Sequence, residues 1–174
     1  RGQYPGIPVR FSSFDMTRIL VLYYSQTGQL TRAVQSMLRP LADRPDVEIV
    51  WQNLEPVEPF PFPWGFFRFF DTFPECVHLD PPPIRPVSFG KEARFDLVVL
   101  AYQVWFLSPS LPVTAFLKSA AAAVLKDTPV ITFIACRNMW LSAQEKMKAM
   151  LRDVGARHID NVVLTDQGPP WATF

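Results

Sequence analysis

The sequence predicts an α/β protein, in which a doubly wound parallel sheet of five strands carries helices on both faces. Short, continuous apolar segments alternate with amphipathic segments along the chain, and small polar loops follow the apolar segments. A short apolar segment without alternation is typical of a strand that is buried on both faces. The length of 174 residues and an apolar content of 49% fit one domain with a sizeable core.

The first half of the chain supplies a strand, a helix and a second strand. "RILVLYY" (18–24) is predicted as the first strand, and "VEIVWQNL" (47–54) as the second. Between them, apolar residues recur at three- and four-residue spacings from Leu30 to Leu41, which predicts a helix. These elements form the first strand–helix–strand unit.

The second half continues the alternation. The third strand is "FDLVVLAY" (95–102), the fourth "PVITFIAC" (129–136) and the fifth "IDNVVLTD" (159–166). An apolar helix, "VTAFLKSAAAAVL", is predicted between the third and fourth strands. An amphipathic helix, "SAQEKMKAMLRDVGA", precedes the fifth, with Ser142 as its expected N-cap and Gly155 as its C-terminal glycine.

Residues 55–94 interrupt this rhythm with an insertion rich in aromatic residues and proline. They hold nine of the eighteen prolines, and 60–73 hold seven of the fifteen phenylalanines. Four phenylalanines share one helical face, which predicts a short aromatic helix: Phe66, Phe69, Phe70 and Phe73. This helix is expected to pack on the sheet as a crossover helix, to cover an apolar substrate as a lid, or to contact a membrane surface or a second copy in a homodimer.

The totals exclude several classes of protein. A formal charge of +1 gives no indication of a nucleic-acid partner. Cys76 and Cys136 lie far apart without metal-like spacing, so neither a zinc site nor a disulfide framework is expected, and no metal is assigned. No apolar segment reaches the roughly 18 residues of a membrane span. With no secretory signal visible, the expected compartment is the cytoplasm.

The two ends of the chain carry separate expectations. Met16 directly precedes the first strand, so residues 1–15 are interpreted as an upstream extension or a cloning remnant, and 16–174 as the domain. After the fifth strand only "QGPPWATF" follows, whereas a doubly wound sheet normally has a further helix there. We therefore expect the final covering helix to be missing from this sequence.

The loop after the first strand has the chemistry of a phosphate site. Its residues are Ser25, Gln26, Thr27, Gly28, Gln29 and Leu30. The hydroxyl groups, the successive backbone amides and the start of a helix suit a dianionic phosphate without a lysine or a metal. The alternative is an ordinary turn in which Ser25 or Thr27 caps the helix. The glycine patterns of P-loops and of dinucleotide-binding folds are absent.

"Ser-x-Thr-Gly" at this position resembles the phosphate loop of flavodoxins and of flavodoxin-like FMN reductases. Their usual form ends in a further threonine, for which this sequence has Leu30, with Thr31 next to it. The resemblance implies FMN as cofactor and the strand order 2-1-3-4-5. It covers residues 17 to about 167.

Two further loops match the same family. Gln103, Val104, Trp105 and Phe106 resemble the "Pro-x-Trp" loop of flavodoxin-like quinone reductases, with Lys118 in the helix downstream. Trp105 is expected to stack on the flavin ring, unless it fills the core beneath the loop. The third loop holds Cys136, Arg137, Asn138, Met139 and Trp140, in which Arg137 and Asn138 are expected at the polar edge of the flavin. Cys136, His78 and His158 are interpreted as structural residues, and no catalytic residue is assigned.

The resemblance implies an FMN-dependent oxidoreductase that passes hydride or electrons from NAD(P)H, as a transient donor, to an apolar aromatic or quinone-like acceptor. "YYSQTGQLT" and "CRNMW" resemble more narrowly a group of bacterial flavodoxin-like proteins known as dialkylresorcinol condensing enzymes. This narrower resemblance implies an alternative, a non-redox accessory or condensing protein of aryl-lipid (dialkylresorcinol or aryl polyene) biosynthesis. That protein would bind an apolar substrate under the phenylalanine-rich segment.

Overall fold

The computed structural model of the protein describes residues 16–61, 65–90 and 92–165, with the backbone alone described at residues 66–69 and 71. The expectations about the N-terminal extension (1–15), the segment after the fifth strand, and the side chains of Phe66 and Phe69 lie outside this description.

Strands and helices alternate along the described chain, with one additional short strand. The strands are β1 (Thr17–Tyr23), β2 (Val47–Asn53), β3 (Leu97–Trp105), β4 (Ser108–Pro109), β5 (Pro129–Cys136) and β6 (Arg157–Thr165). The helices are α1 (Gln29–Ala42), α2 (Phe66–His78), α3 (Leu111–Lys118), a 3₁₀ helix (Ala120–Leu125) and α4 (Leu141–Asp153). Alternation of this kind is the pattern that the sequence predicted.

The five long strands form one parallel sheet in the order β2-β1-β3-β5-β6. This confirms the predicted order 2-1-3-4-5, because β4 is an extra two-residue strand that pairs antiparallel with the end of β3. Tyr23 lies opposite Asn53 on one side and Ala101 on the other, and Gln103 lies opposite Ala135. The carboxyl ends of the central strands therefore meet at one edge.

The core lies on both faces of the sheet. On one face, Leu22, Tyr102 and Phe116 belong to a large buried cluster that includes residues of α2, α3 and α4. On the other face, Leu30 and Val34 of α1 belong to a smaller cluster, and α1 is the only described helix that contributes to it. Since a buried leucine typically contributes about 2–5 kcal/mol relative to alanine, both faces stabilise the sheet.

The predicted third strand is too short, because β3 continues through Trp105 and turns back into β4. The backbone N–H of Ser110 donates to the carbonyl of Gln103 at 2.9 Å, which closes this β-hairpin. The residues from Gln103 to Phe106 were expected in a loop after the third strand. The β3–β4 hairpin thus carries Trp105 on a strand, at the same sheet edge as the first loop.

The predicted single helix over 113–125 is also wrong, because Ser119 divides it. The Ser119 backbone is extended (φ −87°, ψ 161°). Its hydroxyl donates to the carbonyl of Phe116 at 2.7 Å and accepts from the N–H of Ala121 at 3.3 Å. A serine side chain that competes for backbone groups in this way ends α3 and starts the 3₁₀ helix.

The expected N-cap Ser142 lies inside the first turn of α4, since the helix begins at Leu141 after Trp140. The N–H of Gln144 already donates to the carbonyl of Trp140 at 2.9 Å. Gly155, in the left-handed region at φ +74°, follows the end of the helix as predicted.

The aromatic helix predicted in the insertion is α2, and it packs on the sheet through Thr72 and Cys76 while Phe70 and Phe73 remain exposed. Thr72 and Cys76 are fully buried, whereas Phe70 is 56% and Phe73 49% exposed. In the described segments no helix is long and apolar enough to cross a membrane. Nor do three or more histidine, cysteine or carboxylate side chains gather there in a group that could hold a metal ion.

Candidate functional site

Three loops leave the sheet at its carboxyl edge. The first connects β1 to α1, the second is the turn of the β3–β4 hairpin at Phe106 and Leu107, and the third connects β5 to α4. In a doubly wound sheet, ligands bind at this edge, near the point where the strand order reverses. Here β1 and β3 are the neighbours on the two sides of that point.

The first loop ends in a helix start that no side chain caps. Gly28 precedes α1 with φ +75°, a left-handed conformation that favours glycine, and makes no side-chain cap. The interpretation of Ser25 or Thr27 as a helix cap is therefore wrong. The first backbone N–H groups of α1, on Gln29 and Leu30, are left to face the loop with the positive end of the helix dipole.

The polar side chains of the first loop have different surroundings. Ser25 Oγ is buried without a hydrogen-bond partner, and Thr27 is exposed. The Gln26 side-chain amide donates to the carbonyl oxygens of Phe60 (3.4 Å) and Pro61 (3.0 Å), which fastens the loop to the chain after β2. The Leu30 side chain is completely buried under α1. Leu30 can therefore contribute to a ligand site only through its N–H group.

Arg32 is a candidate residue that the sequence analysis missed. Its Nη1 atom lies 3.3 Å from the point that a Cβ atom on Gly28 would occupy, so the guanidinium group lies against the first loop. In the sequence, Arg32 lies one helical turn after Gly28, and this spacing could have indicated that the two residues are neighbours. A cation beside uncapped backbone amides makes this loop strongly favourable for an anion.

Trp105 belongs to an aromatic cluster between the first loop and the hairpin. Its ring centroid lies 5.7 Å from that of Tyr24 and 5.0 Å from that of Phe60, in edge-to-face arrangements. Tyr24 and Phe60 are buried, while Trp105 keeps part of its surface exposed. Trp105 thus packs against the core and still presents a surface at the carboxyl edge.

The turn of the hairpin has an unusual backbone. Phe106 (φ 46°) and Leu107 (φ 60°) both lie in the left-handed region, which costs a residue with a Cβ atom about 1 kcal/mol or more. On the following strand, Lys146 Nζ of α4 donates to Ser108 Oγ at 2.7 Å. This bond ties the hairpin to α4 and holds the turn in place.

The third loop is mostly exposed. Arg137, Asn138 and Met139 all lie at the surface, and Met139 is 74% exposed. The Cys136 thiol contacts the carbonyl of Asn138 at 3.8 Å, and burial raises the pKa of that thiol. A raised pKa disfavours the thiolate, which agrees with a structural cysteine. Trp140 is partly buried at the start of α4.

The hairpin and the third loop enclose one side of a groove of about 490 Å³, and α2 encloses the other. Its lining comprises Phe73, Val77, Val104, Phe106, Leu107, Cys136, Arg137, Asn138 and Met139. The structure therefore brings residues of the second and third loops together. The first loop does not line this groove, and the cluster of Tyr24, Phe60 and Trp105 connects it to the hairpin.

The remaining candidates lie elsewhere. Lys118 donates to the carbonyl of Leu79 at the end of α2, so it caps that helix. His158 on β6 contacts Thr132 Oγ1 at 3.1 Å within a polar network in the core. A separate depression of about 580 Å³ lies between α1 and β2 and contains none of the predicted site residues.

No protein-family model matches the sequence, and no curated protein matches it significantly. Several solved structures do share its fold. A flavoprotein from Lactobacillus acidophilus, solved in complex with FMN, superposes with a TM-score of 0.64 at 16% identity, over 84% of this chain and 93% of its own. A protein from Bacteroides eggerthii, provisionally assigned as a flavoprotein, gives 0.66 at 17% identity over 87% and 90% of the two chains.

A WrbA-like flavodoxin from Agrobacterium tumefaciens gives a TM-score of 0.53 at 10% identity, over 89% of this chain and 87% of its own. Identities this low establish the fold and not the activity. Together with the strand order and the crossover helices, these similarities show that the chain has a flavodoxin-like fold.

Proposed function

We propose that the protein is an FMN-dependent oxidoreductase that transfers hydride or electrons from NAD(P)H to an apolar aromatic or quinone-like acceptor. The first loop carries this proposal. It combines an uncapped helix start, a buried Ser25 hydroxyl group without a partner and the guanidinium group of Arg32. These groups fit the phosphate of FMN, and the protein of the same fold from Lactobacillus acidophilus is described in complex with FMN.

In this proposal the first loop binds the phosphate of FMN, and Trp105 positions its ring. The N–H groups from Gly28 to Leu30, Ser25 Oγ and Arg32 bind the phosphate, and the exposed Thr27 hydroxyl group lies within the same loop. The exposed surface of Trp105 orients the ring. Bound FMN supplies the hydride and electron chemistry, which no protein side chain provides.

The third loop supplies the polar edge of the proposed site. Arg137 and Asn138 lie on that loop, on the far side of the hairpin from the first loop. A guanidinium group there stabilises negative charge that develops on a reduced ligand, and the Asn138 amide offers a hydrogen bond. The hairpin and α2 add apolar side chains to the same region.

The overall charge favours an enzyme over an electron carrier. Carriers with this fold are usually strongly acidic for docking to their partners, whereas this chain has a formal charge of +1. A small-molecule acceptor needs no charged docking surface. The apolar groove next to the hairpin is a suitable place for such an acceptor.

The same groove supports a second candidate function. A non-redox accessory or condensing protein of aryl-lipid biosynthesis, to which the narrower resemblance to dialkylresorcinol condensing enzymes points, would bind its apolar substrate there without a flavin. The exposed Phe70 and Phe73 side chains are also available for contact with a membrane surface or a second copy of the chain.

The test is a flavin titration followed by anaerobic reduction. We expect the protein to purify yellow or to take up added FMN, then to lose flavin absorbance on addition of NADH or NADPH and regain it with a quinone. A colourless protein that also fails to bind added FMN would contradict the proposal and leave the non-redox candidate. If the protein takes up FMN but neither nucleotide reduces it, FMN remains the proposed cofactor and the assignment of NAD(P)H as donor is overturned.

A further inference from the structure

We propose that the groove between α2, the β3–β4 hairpin and the third loop binds a single-chain amphiphile, with its apolar body between α2 and the hairpin and its anionic head at Arg137. Use of this ligand as the electron acceptor depends on the proposed function, but its binding does not. The ligand class follows from the shape, the polarity and the exposure of the groove.

The body of the groove is apolar on two sides. Phe73 and Val77, one turn apart on α2, form one wall, and Val104, Phe106 and Leu107 of the hairpin form the other. The rings of Phe73 and Phe106 meet edge to face at 5.2 Å where the walls approach each other. A volume of about 490 Å³ lies within the range of small-ligand sites, roughly 300–1,000 Å³.

The apolar residues of α2 that border the groove are only partly covered by the packing of the helix. Phe73 is 49% and Val77 42% exposed, although the neighbouring Thr72 and Cys76 are completely buried against the sheet. Across the groove, Leu107 (43%) and Met139 (74%) are also exposed, and Leu141 (67%) lines the adjoining depression. Apolar side chains that continue a groove onto the surface in this way are typical of a binding site for an apolar ligand.

The polar groups of the groove lie at one end. Arg137 and Asn138 follow β5, and none of the lining residues that the structure describes carries a carboxylate group. Lys146 of α4 bonds to Ser108, next to the lining residue Leu107, and adds a second positive charge to the hairpin. A cationic end on an otherwise apolar groove is complementary to a carboxylate or phenolate head on a hydrocarbon body.

The backbone of the hairpin supports a binding role for its turn. Phe106 and Leu107 retain left-handed conformations that residues with a Cβ atom rarely adopt. This arrangement places both apolar side chains in the groove wall. Strained backbone of this kind is found mainly where a binding or catalytic site requires it.

The experiment measures binding of 11-(dansylamino)undecanoic acid by its fluorescence, below its critical micelle concentration, in the FMN-free protein, because Arg137 is also assigned to the polar edge of the flavin. Dodecanoate should displace the probe at a concentration at least about threefold lower than dodecyltrimethylammonium, whose chain has the same length but a cationic head. Equal displacement by the two competitors would overturn the anionic end of the proposal.

Two variants locate the ligand. Val77→Asp should weaken probe binding about tenfold or more, because it places a carboxylate in the apolar wall. Ile159→Asp, at a side chain 53% exposed on β6, is the matched control and should bind as the unaltered protein does. Circular dichroism melting verifies that both variants fold. Equal affinities of the two folded variants would overturn the location.

Arg137→Gln should remove the preference for dodecanoate over dodecyltrimethylammonium while the probe still binds. An unchanged preference would contradict the assigned head site. Probe binding in a protein that does not take up FMN would refute the proposed function and support the groove. FMN uptake without any probe binding would support the cofactor of the proposed function and refute the groove as a binding site.

Discussion

Ser25 carries a hydroxyl group that is buried at the carboxyl edge of the sheet and has no hydrogen-bond partner. A buried polar group in this state costs about 1–3 kcal/mol of stability, and a ligand that bonds to it recovers that energy on binding. The same atom is therefore expected to disfavour the free protein and to favour the complex with a phosphate.

We predict that Ser25→Ala leaves the stability of the FMN-free protein unchanged or raises it, and weakens FMN binding by about 1–3 kcal/mol. Urea denaturation and a fluorescence titration with FMN measure the two effects. Ser119→Ala is the control, because the Ser119 hydroxyl group is already bonded to Phe116 and Ala121. That variant should lose about 1 kcal/mol of stability and keep its FMN affinity. A destabilised Ser25→Ala variant with normal affinity would remove Ser25 from the site.

Leu107 stands at the second position of a tight hairpin turn, where glycine is usual because φ is positive. We predict that Leu107→Gly raises the free energy of unfolding by up to about 1 kcal/mol, since relief of the strained backbone exceeds the loss of a half-exposed side chain. The matched control is Leu164→Gly, which has similar exposure (45%) but lies in β6 without a positive φ. It should lose roughly 1 kcal/mol. Thermal melting of both variants measures these changes. A destabilised Leu107→Gly variant would show that the contacts of the side chain contribute more than the backbone strain costs.

The residues of the candidate site were only partly predictable from the sequence. Gly28 and Ser25 were identified because their types and order define a polar helix start. Arg32 was missed because the direction of a side chain one turn into a helix depends on the backbone of the loop before it. Phe73 was predicted on the aromatic face of α2, whereas Val77 was not predicted, because the contact between α2 and the hairpin joins segments that are far apart in the chain.

At the scale of elements, a buried polar network connects β3, β5, β6 and α4. Tyr102 Oη donates to Gln144 Oε1 at 2.7 Å, and Gln144 Nε2 donates to Thr132 Oγ1 at 3.0 Å. His158 Nε2 lies 3.1 Å from Thr132 Oγ1 and 3.3 Å from Gln144 Nε2. The second N–H of the Gln144 amide points to His158 Nε2 as an acceptor, which fits a neutral imidazole.

Partial burial, together with the positive charge of Lys148, lowers the pKa of His158 from its ordinary value of 6.5, although the nearby Asp160 acts in the opposite direction. The unfolded chain therefore binds a proton more readily than the folded protein. The contribution of His158 to the free energy of unfolding is fully present above about pH 6.5. It falls as the pH drops from there towards the lowered pKa of the folded state.

We predict that His158→Gln makes the free energy of unfolding less dependent on pH below about 6.5 than in the unaltered protein. Urea denaturation between about pH 8 and pH 5 measures the slope. His78→Gln, at an exposed histidine near the end of α2, is the control and should leave the slope contributed by His158 in place. Equal slopes in the unaltered protein and the His158→Gln variant would contradict the role of His158 in this network.

Elements were easier to predict than their ends. The five long strands were correct in number and order because continuous apolar segments indicate burial on both faces. The β3–β4 hairpin could not be predicted, since Phe106 and Leu107 have none of the usual preference for a turn with positive φ. The break at Ser119 was missed because the surrounding alanines strongly favour a continuous helix.

At the scale of the whole molecule, a ligand that binds only the folded state stabilises every part of the fold. The first loop connects β1, in the centre of the sheet, to α1. Among the described helices, α1 alone covers that side of the sheet. Occupation of this loop should therefore appear in global unfolding as well as in local binding. The size of the effect depends only on the ligand concentration relative to its Kd.

We predict that FMN at about one hundred times its Kd raises the free energy of unfolding by about 2.7 kcal/mol. For a chain of this length that corresponds to a rise in Tm of roughly 5–10 °C. Riboflavin, which has the same ring and sugar chain but no phosphate, should give a much smaller rise at the same concentration, because it leaves Ser25, the α1 amides and Arg32 without an anion. Circular dichroism melting in the dark measures both shifts. Ser25→Ala should reduce the shift with FMN and leave the shift with riboflavin unchanged, whereas equal shifts for the two flavins would place the phosphate outside the first loop.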